Sequence, residues 1–101
     1  MLTPKQKAFL KSLANKVPAT FQIGKEGLSE NLLTDVLNYL NRHEIIKISV
    51  LQNTTVLDDE IIAFFEEANI EFVQKIGRQI VLYKHSNNVK DPIVLPVKKS
   101  K

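Results

Sequence analysis

At 101 residues the chain has the length of one ordinary domain, enough to bury a single core and too little for two. Its 44% hydrophobic and 25% charged residues match globular usage, and a mean hydropathy of −0.10 fits neither a membrane protein nor a disordered one. There is no cysteine, which excludes disulfides, thiolate nucleophiles, zinc knuckles and iron–sulfur centres. No stretch approaches the ~20 apolar residues of a membrane span, and MLTPKQKAFLKSLANK lacks the apolar centre of a secretory signal, so the expected location is cytoplasmic. The net charge of +3 is unevenly spread: residues 1–25 carry +5, residues 26–71 carry −8 and residues 72–101 carry +6. If the two basic ends meet in space, such a dipolar surface attracts and orients a polyanion; the plainer alternative is a solubilising lysine face.

Thr3-Pro4-Lys5-Gln6 reads as a helix start, with Thr3 as N-cap, Pro4 at the first helical position and Gln6 closing a capping box. Phe9, Leu10, Leu13 and Ala14 follow at helical spacing, leaving Lys5, Lys7, Lys11 and Lys16 for the polar side. Val17-Pro18 ends this basic helix, and Thr20 to Ile23 is a short β-type run. Gly24-Lys25-Glu26-Gly27 interrupts the chain before Ser29 caps a second helix, whose Leu32, Leu33, Val36, Leu37 and Leu40 form one apolar stripe. That stripe stops around Asn41-Arg42-His43, and the alternation of Ile46, Ile48 and Val50 with Lys47 and Ser49 predicts a strand over Ile45 to Leu51.

Gln52 to Thr55 is a polar loop, and Asp58-Asp59-Glu60 opens a third helix with acids that suit its dipole. Ile61, Ile62, Phe64, Phe65 and Ala68 give that helix its apolar side, with Asn69 as the expected C-cap. Two strands, Ile70 to Ile76 and Gln79 to Lys84, join at Gly77-Arg78, a Gly-first pair suited to a type II′ turn. Composition then turns to Asn, Pro and Lys, which sets a domain at 1–88 and a basic, loosely held tail at 89–101. The order α-β-α-β-α-β-β predicts an α/β fold: one compact domain with a four-stranded mixed sheet and three helices.

Little in the chain advertises catalysis. His43 and His85 fall at a helix end and a strand end, in no recognisable pairing with an acid, a serine or a metal-ligand spacing. The Asp58-Asp59-Glu60 cluster has the simpler role of charging a helix start, and Gly24 to Gly27 lacks both the later Gly-Lys-Ser/Thr of a P-loop and the third glycine of a dinucleotide fingerprint. No catalytic residue, metal ligand or cofactor is therefore expected, and the chain is read as a non-enzyme.

The Gly-x-x-Gly element offers more. Its glycines permit positive φ and remove Cβ atoms, so a sugar-phosphate backbone can come close to the main chain. The amides of Gly27, Leu28 and Ser29 lead into a helix start, where N–H groups and the dipole favour phosphate, and Lys25 adds a mobile cation. A GXXG loop clamps nucleic-acid backbone in this way in KH domains. Two glycines spaced in this way are also common in plain turns. At the other end of the chain Arg78 sits at a hairpin tip and Lys84 closes the last strand, while Tyr83, amid Ile80, Val81 and Leu82, reads as core.

The stretches LTPKQKAFLKSLANKVPATFQIGKEGLSENLL, LNRHEIIKISV and IGRQIVLYKHS together resemble the YhbY-like CRM domain, the chloroplast RNA splicing and ribosome maturation module, in its bacterial stand-alone form. The resemblance covers about residues 2 to 86. It implies a sheet like that of the C-terminal domain of bacterial translation initiation factor three, and RNA contact through the loop Gly24, Lys25, Glu26 and Gly27. Glu26, an acid where phosphate would approach, is given no contact. The resemblance further implies binding to rRNA in precursors of the large ribosomal subunit.

The expected RNA-binding residues are Lys5, Lys7, Lys11, Gly24, Lys25, Gly27, Leu28, Ser29, Arg78 and Lys84, forming one continuous cationic surface on a monomer that assists ribosome assembly without covalent chemistry. The alternative is a protein-interaction module whose acidic surface, Asp58 to Glu71 with Asp59, Glu66 and Glu67, docks on a ribosomal protein. No membrane partner is expected.

Overall fold

The computed structural model describes residues 2–86; the predicted tail at 89–101 lies outside them. The elements follow the predicted order: α1 (Pro4–Ala14), β1 (Phe21–Ile23), α2 (Glu30–His43), β2 (Ile45–Val50), α3 (Asp58–Glu66), β3 (Glu71–Ile76) and β4 (Gln79–Tyr83). Thr3 and Gln6 form the expected capping box, the Gln6 N–H donating to Thr3 Oγ1 at 3.1 Å and the Thr3 N–H to Gln6 Oε1 at 3.0 Å. Ser29 caps α2, its Oγ accepting from the Leu32 N–H at 3.1 Å.

The third helix ends differently from the expectation. Asn69 is not the cap residue but the left-handed residue beyond it, at φ +64°, with the Asn69 N–H donating to the Glu66 carbonyl and the Ile70 N–H to that of Phe65. This Schellman pattern uses an asparagine where glycine is commoner.

The four strands make one mixed sheet in the order β1-β2-β4-β3, with β1 parallel to β2 and the other two pairings antiparallel. Strand β4 sits centrally because it is apolar on both faces. Ile80 and Leu82 point to the side covered by α2 and α3, where they join Ile46, Ile48, Val36, Leu40, Ile61 and Phe65. Val81 and Tyr83 point the other way and pack with Leu10 and Ala14 of α1, Ile45 and Val73. One helix therefore lies on one face and two on the other. A bulge between Phe72 and Gln74 shifts the β3 register, and Gly77 at φ +57° turns the two-residue β3–β4 connection.

Candidate nucleic-acid interface

The parallel β1–β2 pair places the carboxyl ends of both strands at the same end of the sheet, where the antiparallel partner β4 begins. The Leu51 N–H donates to the Ile23 carbonyl at 2.8 Å, and the Val50 N–H to the Arg78 carbonyl at 2.6 Å. The glycine turn after β1 and the hairpin tip before β4 thus flank the end of β2, two strand spacings or about 10 Å apart. Lys25 and Arg78 are both exposed there and pair with no carboxylate among the described residues.

Gly24 to Gly27 forms a β-turn closed by the Gly27 N–H donating to the Gly24 carbonyl at 2.9 Å. That bond corrects one expectation, since the Gly27 amide is spent inside the turn and is not offered outward. The N–H groups of Leu28, Ser29, Glu30 and Asn31 have no acceptor among the described residues, and they are the donors at this helix start. Gly27 is held at φ +71°, and a Cβ there would lie 3.0 Å from Val56 Cγ2. Beside the turn is a hollow of about 470 Å³ lined in part by Gly24, Lys25, Gly27, Ser29, Asn31 and Asp35.

A further row of polar groups reaches this end. The register aligns Gln22, Ser49 and Gln79 across three strands on the face that carries α1, because their neighbours Ile23, Ile48 and Ile80 face the other core. Sequence reading missed this row, which is visible only once the order β1-β2-β4 is known; the polar residue between apolar ones in each strand was its signal.

The remaining predicted cations lie elsewhere. Leu2 and Gln6 at the start of α1 share a hollow with Glu71, Tyr83, Lys84 and His85, at the end of the sheet opposite the glycine turn. Lys84, Lys5 and Lys7 belong to that end, with Lys11 one turn further along α1. The five residues of β4 separate Arg78 from Lys84, six backbone steps or about 20 Å. The expected single cationic surface is thus divided between the two ends of the sheet.

At that opposite end sits a buried acid the sequence did not flag. Glu44, with its side chain fully buried, follows α2 at φ +66°. Its Oε2 accepts from the Ser86 N–H at 2.8 Å and lies 3.0 Å from His85 Nδ1, while its carbonyl accepts from the Lys84 N–H at 2.9 Å. The Ser86 hydroxyl donates to the Asn41 carbonyl at 2.7 Å. An acid in place of the usual Gly or Asn after a helix was the available signal. Burial, followed by the charges of Glu44 and Glu71, pushes the Tyr83 phenol above its ordinary value of 10.0.

One helix, a β1-β2-β4-β3 mixed sheet and two helices, with a Gly-x-x-Gly turn at the carboxyl end of a parallel strand, define a class of small α/β modules. The chain belongs to the CRS1 / YhbY (CRM) domain family, whose model matches residues 2–84. It is 41% identical over 97 residues to the Bacillus subtilis protein YqeI, which carries an RNA-binding name, spanning 95% of this chain and all of that one. It is 40% identical to an RNA-binding protein of Haemophilus influenzae, covering 96% of this chain and 97% of that one. A solution structure of SAV1595 from Staphylococcus aureus, described as a candidate RNA-binding protein, superposes with a TM-score of 0.76 at 42% identity, over 95% of this chain and 100% of that one. Among the described residues no helix is long and apolar enough to cross a membrane.

Proposed function

We propose that the chain is a non-enzymatic RNA-binding module that holds rRNA through its glycine turn and acts as an assembly factor for the large ribosomal subunit. The observation that carries this reading is the convergence, at one end of the sheet, of unused amides over Leu28 to Asn31, exposed Lys25 and Arg78, and the Gln22–Ser49–Gln79 row. Phosphate oxygens accept from the amides at the helix start and from the two cations, as anions do at helix N-termini. The amides and hydroxyl of the row suit ribose hydroxyls and base edges. Phosphate contacts fix position and carry little sequence information, so selectivity comes from the shape of the RNA. The names of the family and of the relatives support the ligand class. The cations Lys5, Lys7, Lys11 and Lys84 then serve a separate, outer part of a long RNA.

The test is a salt titration of binding to precursor large-subunit rRNA, comparing the native chain with a Lys25→Glu, Arg78→Glu double variant. The variant should bind more weakly, with a logarithmic salt slope reduced by about 1.5 to 2 for two lost phosphate contacts. Equal binding and equal slope would refute the turn-centred reading. Attention would then move to the exposed acids Asp59, Glu66 and Glu67 and a protein partner.

A further inference from the structure

The outward side of α2 carries a second feature that the proposed function does not use. Tyr39 stands between two rings: Phe21 meets it edge-on, with centroids 5.7 Å apart at 85°, and His43 lies over it at 4.2 Å and 33°. Phe21 and Tyr39 are half-buried, whereas His43 is exposed. The Thr20 hydroxyl lies 3.3 Å from the Tyr39 hydroxyl and braces the middle ring. His43 is the last residue of α2, and the next, Glu44, has its side chain locked into the core. The outermost ring of the stack is therefore held by a fixed backbone and by the ring beneath it.

The hollow beside the stack is polar and lined by no acid; the exposed Asp35 lies one turn before Tyr39. This hollow, of about 360 Å³ beside Tyr39, is lined by Asn38, Asn41 and Arg42, and Arg42 pairs with no carboxylate among the described residues. The large hydrophobic side chains exposed among the described residues, Leu57 and Ile76, lie on other elements. A protein interface has an apolar centre, which this patch lacks, whereas single-stranded RNA is recognised by a flat ring with hydrogen-bonding and cationic groups at its rim.

Placement connects this patch to the glycine turn. Strand β1 and α2 run in opposite directions, so the turn caps one end of the helix and the Phe21–Tyr39–His43 stack occupies the other. From Ser29 to His43 is about 21 Å along the helix. Between them Glu30, Asn31, Thr34, Asp35, Asn38, Asn41 and Arg42 are exposed.

We infer that α2 is a track for single-stranded RNA, with the backbone gripped at the Gly24–Gly27 turn and a nucleobase about four nucleotides away stacked on His43. This rests on the proposed function for the first of its two ends. Tyr39 and Phe21 back the imidazole, and Arg42, the residue before it, takes a phosphate beside the stacked base. Asp35, midway, repels phosphate and accepts from base N–H groups, which turns the bases towards the helix. Prior ordering of the ring lowers the entropic cost of binding a base.

The experiment uses the full chain and ten-nucleotide single-stranded RNAs of mixed sequence carrying 2-aminopurine at successive positions, with fluorescence as the readout. One position should be quenched on binding. His43→Ala should lose that quenching and weaken binding roughly tenfold, as removal of one stacking platform does. His43→Phe should restore both, and Arg42→Ala should lower the salt slope by about 0.7. Unchanged affinity and quenching in His43→Ala, alongside weakened binding in Lys25→Glu, would overturn the inference and leave the turn in place. Weakened binding in His43→Ala alongside native binding in Lys25→Glu, Arg78→Glu would keep the stack and refute the turn.

Discussion

Gly27 illustrates how much one backbone angle constrains this end of the molecule. At φ +71° a side chain pays about 1–2 kcal/mol, and the 3.0 Å approach to Val56 leaves a Cβ no room without movement. Gly27→Ala should therefore lower the unfolding free energy in urea by about 1–2 kcal/mol and weaken RNA binding by displacing the amides of Leu28 and Ser29. Gly77 has a similar angle but open space around it, so Gly77→Ala carries the backbone cost alone. The need for glycine at these points was legible from the Gly-Lys-Glu-Gly and Gly-Arg spacings. The spent amide of Gly27 was not, because whether a turn closes on itself depends on coordinates that spacing leaves open.

At the scale of elements, regular patterns were read well and connections less so. The stripe in α2, the capping box of α1 and the alternation in β2 each follow from local periodicity, and each element formed where expected within a residue or a few. Strand order is a non-local property; its clue was the uninterrupted Ile80-Val81-Leu82-Tyr83, a run that only a strand covered on both faces buries fully. The join between α2 and the segment after β4 is made by the Glu44 carboxylate together with the carbonyls of Asn41 and Glu44. Glu44→Ala keeps the left-handed backbone and removes the acceptor of the Ser86 N–H and the partner of His85. The expected loss is about 1–3 kcal/mol, the penalty for a buried donor left without its acceptor, measured by urea unfolding. A loss below that range would show that solvent or another acceptor replaces the carboxylate. Nothing in a single sequence paired residue 44 with residue 86, since that contact spans the whole α3–β3–β4 unit.

For the whole molecule, the core couples folding to alkaline pH through Tyr83. Its phenol is raised in the folded state by burial first and then by Glu44 and Glu71, so the folded protein resists ionisation longer than the unfolded chain does. The resulting stability is complete below the unfolded value of 10.0 and is lost as pH climbs from there through the folded value. Melting temperatures of the native chain should fall above about pH 10 more steeply than those of Tyr83→Phe; parallel curves would contradict this. The division of the predicted cations is also a whole-molecule result. Segment charges predicted two basic stretches, but where each lands depends on the direction in which β4 runs.

That direction, together with the Glu44 clip, has a practical corollary. Ser86 is pinned beside Asn41 and Glu44, about 20 Å from the glycine turn by the length of β4. A fluorophore, affinity handle or tethered cleavage reagent joined downstream of Ser86 therefore has its root beside the helix end that carries His43. That root is placed to map the far end of a bound strand, at the end of the sheet opposite the turn.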